Sequence, residues 1–119
     1  MSLLQVIPTI FYADLSVGIK FFADGLGFKE IYNDGHLSIL KRDTTTLHLQ
    51  QNEECAKGER PEIRIATDDI EAYHSEIRSR NPELLHPNSN TIKSKPWGLK
   101  EFALLDETTV CIIIQQPID

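Results

Sequence analysis

Apolar and polar positions alternate along most of this chain, and the alternation gives way twice to helical spacing. Leu3 to Tyr12, "LLQVIPTIFY", is rich in β-branched and aromatic residues and predicts a strand. Pro8 within it cannot donate to a ladder, so the strand lies at an edge or changes partner there. Asp14 then reads as a helix N-cap, with Leu15, Ile19, Phe22 and Leu26 recurring on one face. Gly18 is a mild cost inside that helix, and Gly25 and Gly27 end it. "FKEIYND" and "HLSILKR" follow as strands about an Asp34-Gly35 turn. Asp43 and Thr44 turn the chain again into "TTLHLQQ". The first half therefore predicts β-α-β-β-β.

Asn52 to Pro61 is polar and aperiodic and reads as a connector. "EIRIAT" alternates as a strand, and Asp68 or Asp69 caps a helix with Ile70, Tyr73 and Ile77 on its apolar face. "NPELLHPNSNTIKSKPWG" holds three prolines and predicts irregular chain with one short strand near Leu84 to Ile92. "KEFALLD" and "TVCIIIQQ" close the chain as two strands joined at Asp106-Glu107-Thr108-Thr109. The second half repeats β-α-β-β-β in architecture, with almost no repeat of sequence. The expectation is an α+β fold. Two βαβββ units, about 3–50 and 61–116, form one domain over 1–119, a curved mixed sheet with helices outside and a concave groove.

Composition narrows the chemistry. The length of 119 residues suits one domain. A net charge of −6 supplies no basic footprint for nucleic acid, and is compatible with a cationic ligand. No apolar run approaches the ~20 residues of a membrane span. The first residues lack a basic n-region and an A-x-A cleavage site, so a secretory signal is not expected and the expected compartment is the cytoplasm. Cys55 and Cys111 form no C-x-x-C pair, and they read as one loop thiol and one strand thiol. His74 reads as a surface residue of the second helix, and His86 lies in the irregular segment. Neither belongs to a metal-binding histidine motif, and no phosphate loop or nucleophile elbow is present.

Three stretches resemble the glyoxalase/bleomycin-resistance/extradiol-dioxygenase superfamily, also called the vicinal oxygen chelate fold. They are "VIPTIFYADLSVGIKFFADGLGFKEIY", "IRIATDDIEAYHSEI" and "KPWGLKEFALLDETTVCIII". The last is similar to the "PWG-x-x-E-F-x-x-x-D" signature of the bleomycin-resistance branch. It departs from that branch at "DETT", where the family hairpin usually reads D-P-x-G.

The resemblance carries implications for the site. The four metal-ligand places of metal-dependent relatives fall on Ile7, His48, Glu62 and Ile113. Isoleucine has no lone pair, and two ligands make a poor catalytic centre, so neither metal nor other cofactor is expected. His48 and Glu62 read either as solvent-facing groups or as polar groups toward the groove, where an acid–base role is open to them. Trp97 stands between Pro96 and Gly98 before a strand, which suits a rigid stacking platform. A core role for Trp97 stands beside that reading. Relatives place the tryptophan of this motif at a dimer groove, and His36 and Phe102 match positions that line it. A second groove tryptophan of several relatives is missing from "EIRIAT".

The expected protein is thus a homodimer whose partner is a small molecule. One reading is a non-catalytic binder sequestering a planar, cationic antibiotic such as bleomycin. The other is a metal-independent or weakly metal-binding lyase or isomerase using His48 and Glu62. A small-molecule sensor is a third possibility. Expected ligand-facing residues are His36, His48, Glu62, Trp97 and Phe102.

Overall fold

A computed structural model describes all 119 residues. The chain divides into two compact units, Met1–Gly58 and Glu59–Asp119. Each contains a four-stranded mixed sheet and one α-helix, so the fold is α+β.

In the first unit the strands are β1 (Thr9–Tyr12), β2 (Lys29–Asn33), β3 (Leu37–Arg42) and β4 (Thr45–Gln51). Their order is β1-β4-β3-β2, with β1 parallel to β4 and the other pairs antiparallel. Alternation puts Ile10, Tyr12, Leu40, Leu47 and Leu49 inside. Helix α1 (Leu15–Lys20) packs on this sheet, capped by the Asp14 carboxylate, which accepts from the Ser16 backbone N–H.

Two expectations change here. The strand begins at Thr9 rather than Leu3: Leu3, Leu4 and Val6 are exposed and pair with no strand of their own chain. The first helix is α-helical only to Lys20 and widens into a π-type turn over Phe21–Gly25, with Leu26 N–H donating to the Phe21 carbonyl. The wider turn lets Phe21 and Phe22 both point inward, their rings meeting edge-on at 5.0 Å.

In the second unit the strands are β5 (Glu62–Ala66), β6 (Lys93–Ser94), β7 (Leu99–Leu105) and β8 (Cys111–Pro117), in the order β5-β8-β7-β6. Helix α2 (Ile70–Arg80) is capped by Asp69, and its Ile70 and Ile77 are buried. One sheet face carries Phe102, Leu104, Ile112 and Ile114 into the core. The other carries Glu62, Arg64, Glu101, Ala103, Ile113 and Gln115 at matched register. The short strand expected near Leu84 to Ile92 forms just beyond that span as β6, and the span itself holds a single bridge, Leu85 to Leu104, after a 3-10 turn at Pro82–Leu84.

Candidate ligand-binding site

The site is built on the β6–β7 hairpin of the second unit. The Gly98 N–H donates to the Lys95 carbonyl at 3.1 Å, and the Lys95 N–H donates to the Leu99 carbonyl at 2.7 Å. Gly98 has φ +86°, a left-handed conformation that a glycine adopts without strain. These are the bonds of a three-residue hairpin loop in which a turn is followed by one left-handed residue. Pro96, Trp97 and Gly98 are that loop. The tryptophan stands beside a glycine because it occupies the tip of a hairpin whose closing residue must be left-handed.

Trp97 is 58% exposed, so it is not a core residue. Its polar edge is nevertheless fixed: Nε1 donates to Glu101 Oε2 at 2.7 Å. The Arg64 Nη1 donates to the same oxygen at 2.8 Å and to Gln115 Oε1 at 3.1 Å. Glu101 is only 5% exposed, and its charge is balanced by the guanidinium. The indole face is left open while its orientation is held by a buried carboxylate.

Beside it lies a pocket of about 200 Å³. Its walls include Arg64, Lys93, Lys95, Trp97 and Glu101, with Ala103 and Ile113 as apolar surface. The Lys95 ammonium stands 5.9 Å from the Trp97 ring centroid, a cation–π geometry.

The other sequence-predicted residues fall in various places. Phe102 borders the pocket but is 1% exposed, and His74 at 4.8 Å and Tyr73 at 6.5 Å meet its ring edge-on. Alternation along β7 sends that ring to the helix face, so its contribution is to support the pocket wall from behind. Glu62 is exposed at the start of β5. In the first unit, His36 is exposed in the β2–β3 turn, and His48 is half-buried on β4 opposite Thr9 and Ile39. Ile7 is 44% exposed and Ile113 is 9% exposed. No three His, Cys, Asp or Glu side chains converge as a metal-binding group. His74 is half-buried rather than a free surface group, and its Nε2 pairs with the Asn90 carbonyl at 2.8 Å.

Arg64 and Glu101 were not among the predicted site residues. The signal was present: Glu101 is a charge set beside the apolar run from Phe102 to Leu105, four residues after the tryptophan. A carboxylate there must be paired if it is buried.

The fold built from these two βαβββ units matches that of solved bleomycin-binding proteins. The chain is similar along its length to a bleomycin resistance protein of Geobacillus stearothermophilus, 24% identical over 133 aligned positions that cover 98% of each chain. A bleomycin-binding protein solved in complex with bleomycin superposes with a TM-score of 0.80 at 19% identity, covering 96% of this chain and 98% of that one. The bleomycin-binding protein of bleomycin-producing Streptomyces verticillus, solved with copper(II)-bleomycin, gives 0.77 at 20% identity, covering 100% and 99%. No protein-family model matches the chain.

Proposed function

We propose that this protein binds and sequesters a flat small molecule, with bleomycin the first candidate, and performs no reaction on it. The observation that carries this reading is the Trp97 platform. A large ring is exposed at a stiff hairpin tip and held by a buried carboxylate, next to a pocket. An indole so held stacks on a planar ligand without first losing side-chain freedom. The full-length likeness to a bleomycin resistance protein and to two bleomycin-bound structures supports the same reading. The enzyme alternative, with His48 and Glu62 as acid and base, draws less support from these relatives.

The proposed working form is a cytoplasmic homodimer. Both thiols are free, as a reducing compartment would leave them. Leu3, Leu4 and Val6 are exposed, as residues awaiting a second copy would be. No helix is long and apolar enough to cross a membrane.

The test is calorimetric titration of the purified protein with metal-free and copper-loaded bleomycin. Saturable binding that Trp97→Ala removes supports the function. Absence of binding to wild-type protein at millimolar ligand would exclude bleomycin as its target.

A further inference from the structure

The protein is acidic, yet the pocket beside Trp97 has the opposite charge. Arg64, Lys93 and Lys95 stand on its walls against a single carboxylate, Glu101. That carboxylate is buried and already committed: its Oε2 accepts from both Trp97 and Arg64. Its charge is offset by the guanidinium, which leaves Lys93 and Lys95 as the uncompensated charges on the walls.

The cations are in the reverse condition. Lys100 is paired with Glu71 at 2.8 Å, Arg80 with Glu76 at 3.3 Å and Lys57 with Glu54 at 3.2 Å. Neither Lys93 nor Lys95 has a carboxylate partner in a chain that carries six more acids than bases. Of the Arg64 nitrogens, Nη1 holds Glu101 and Gln115, and the others make no hydrogen bond within the chain. Ser89 and Thr91 add hydroxyls to the same pocket. Ammonium and guanidinium groups have no acceptor capacity, so these charged walls present donors only.

From this we infer an anion subsite. The pocket takes a carboxylate, sulfonate or similar acidic group attached to the flat ring that stacks on Trp97, with Lys93, Lys95 and the outer edge of Arg64 as its partners. Ala103 and Ile113 supply the apolar surface against which the ring's edge rests. A cationic portion of a larger ligand is accommodated away from this pocket. The inference rests on the reading of Trp97 as a ligand platform, and it specifies the charge of the group placed beside that ring.

Three probes of one shape decide it: 2-naphthalenesulfonate, 2-naphthoate and 2-naphthylmethylammonium. Each is titrated by calorimetry into the full chain at low salt. The two anions should bind at least about tenfold more tightly than the cation. Added salt should narrow the gap, since the subsite is partly open to water. In the double variant Lys93→Gln/Lys95→Gln, the gap should close to within about twofold. Lys93 is exposed, Lys95 is half-buried, and neither is ion-paired, so that variant should keep its circular dichroism spectrum. Equal or tighter binding of the cation, a preference unchanged in the double variant, or no binding of any probe would overturn the subsite. Bleomycin is titrated in parallel. Bleomycin binding without an anion preference removes the subsite alone, whereas an anion preference without bleomycin binding removes the antibiotic reading alone.

Discussion

The indole N–H of Trp97 donates to Glu101, four residues further along the chain, at 2.7 Å, at the foot of the hairpin whose tip Trp97 occupies. The bond separates two properties that usually come together in a tryptophan. The ring's orientation is fixed from a buried group, while the ring itself remains 58% exposed. Stability and binding should therefore respond differently to its loss. Trp97→Ala should lower unfolding free energy by about 1.5 kcal/mol, the low end for a hydrogen bond to a charged group. Loss of a buried tryptophan would cost ~3–5 kcal/mol. Ligand affinity should fall much further than stability, with Trp97→Phe intermediate because the ring survives and its anchor does not. A urea midpoint that collapses in Trp97→Ala would return the residue to the core.

Glu101 is the more sensitive of the pair to folding. Glu101→Gln keeps the shape and removes the charge: its amide oxygen can take the place of Oε2 and accept from both donors, but each bond weakens to a neutral acceptor and the Arg64 guanidinium loses its counter-charge. A loss of roughly 1–3 kcal/mol is expected, since the group is buried. The indole should also become freer. Acrylamide quenching of the single tryptophan's fluorescence should rise, and unchanged quenching would show that the carboxylate does not set the ring.

Gly18 carries a packing requirement that the sequence hid. A Cβ at that position would lie 2.4–2.8 Å from atoms of the Tyr12 ring, which is completely buried. Gly18→Ala gains ~1 kcal/mol of helix propensity, and overpacking of this kind costs ~1–3 kcal/mol. The substitution should be net destabilising in urea or thermal melts. A stabilised protein would mean that the Tyr12 ring moves aside at little cost.

That glycine shows where sequence reading stops. Alternation placed β3, β4, β7 and β8 within two residues of their bounds, because each has one face on a core, and β2 and β5 as closely although none of their residues is fully buried. The first strand was overextended because Leu3 to Ile7 has strand composition and no partner within its own chain. The π turn after Lys20 depends on seating Phe21 and Phe22 together, which periodicity alone does not report. At the site, Pro96 and Gly98 announced a stiff turn, and the exposed Trp97 follows from it. Phe102 was assigned by its place in a motif, whereas strand alternation from Glu101 puts it on the opposite face. Arg64 and Glu101 are distant in sequence, and only the register of β5, β8 and β7 brings them together.

Cys111 offers a test of the electrostatics on that same face. Burial pushes its thiol up, the Glu62 carboxylate adds to the rise, and Arg64 opposes it. A raised pKa means less thiolate at a given pH, and thiolate is the reactive form. Cys55 is exposed. Iodoacetamide at pH 8 should therefore modify Cys55 well before Cys111 in the native protein, as followed by peptide mass spectrometry. Glu62→Gln should speed the reaction at Cys111, and Arg64→Gln should slow it. Equal rates at the two cysteines would contradict the assignment.

The β7–β8 hairpin repeats the loop that carries Trp97, with the wrong residue in its left-handed place. Asp106 N–H donates to the Val110 carbonyl at 3.1 Å and Thr109 N–H donates to the Asp106 carbonyl at 3.0 Å, the same two bonds that close Lys95 to Leu99. Where the first loop has Gly98 at φ +86°, this one has Thr109 at φ +70°. The buried Asp106 carboxylate holds the strained turn by accepting from Thr108 N–H at 2.8 Å, Thr108 Oγ1 at 2.7 Å and Val110 N–H at 3.0 Å. A left-handed non-glycine residue costs ~1–2 kcal/mol, and glycine gives back ~0.5–1 kcal/mol through its freer unfolded chain. Thr109→Gly should therefore stabilise the protein by about 0.5–1 kcal/mol. Gly98→Ala should do the reverse at the equivalent position, losing about the same amount. No atom lies within 4 Å of the added Cβ there, so the whole effect is backbone strain. Urea denaturation of the two single variants measures both. Opposite shifts of similar size would establish that the loops share one backbone requirement, and shifts of the same sign would show that the side chains, not the left-handed residue, decide the stability of these turns.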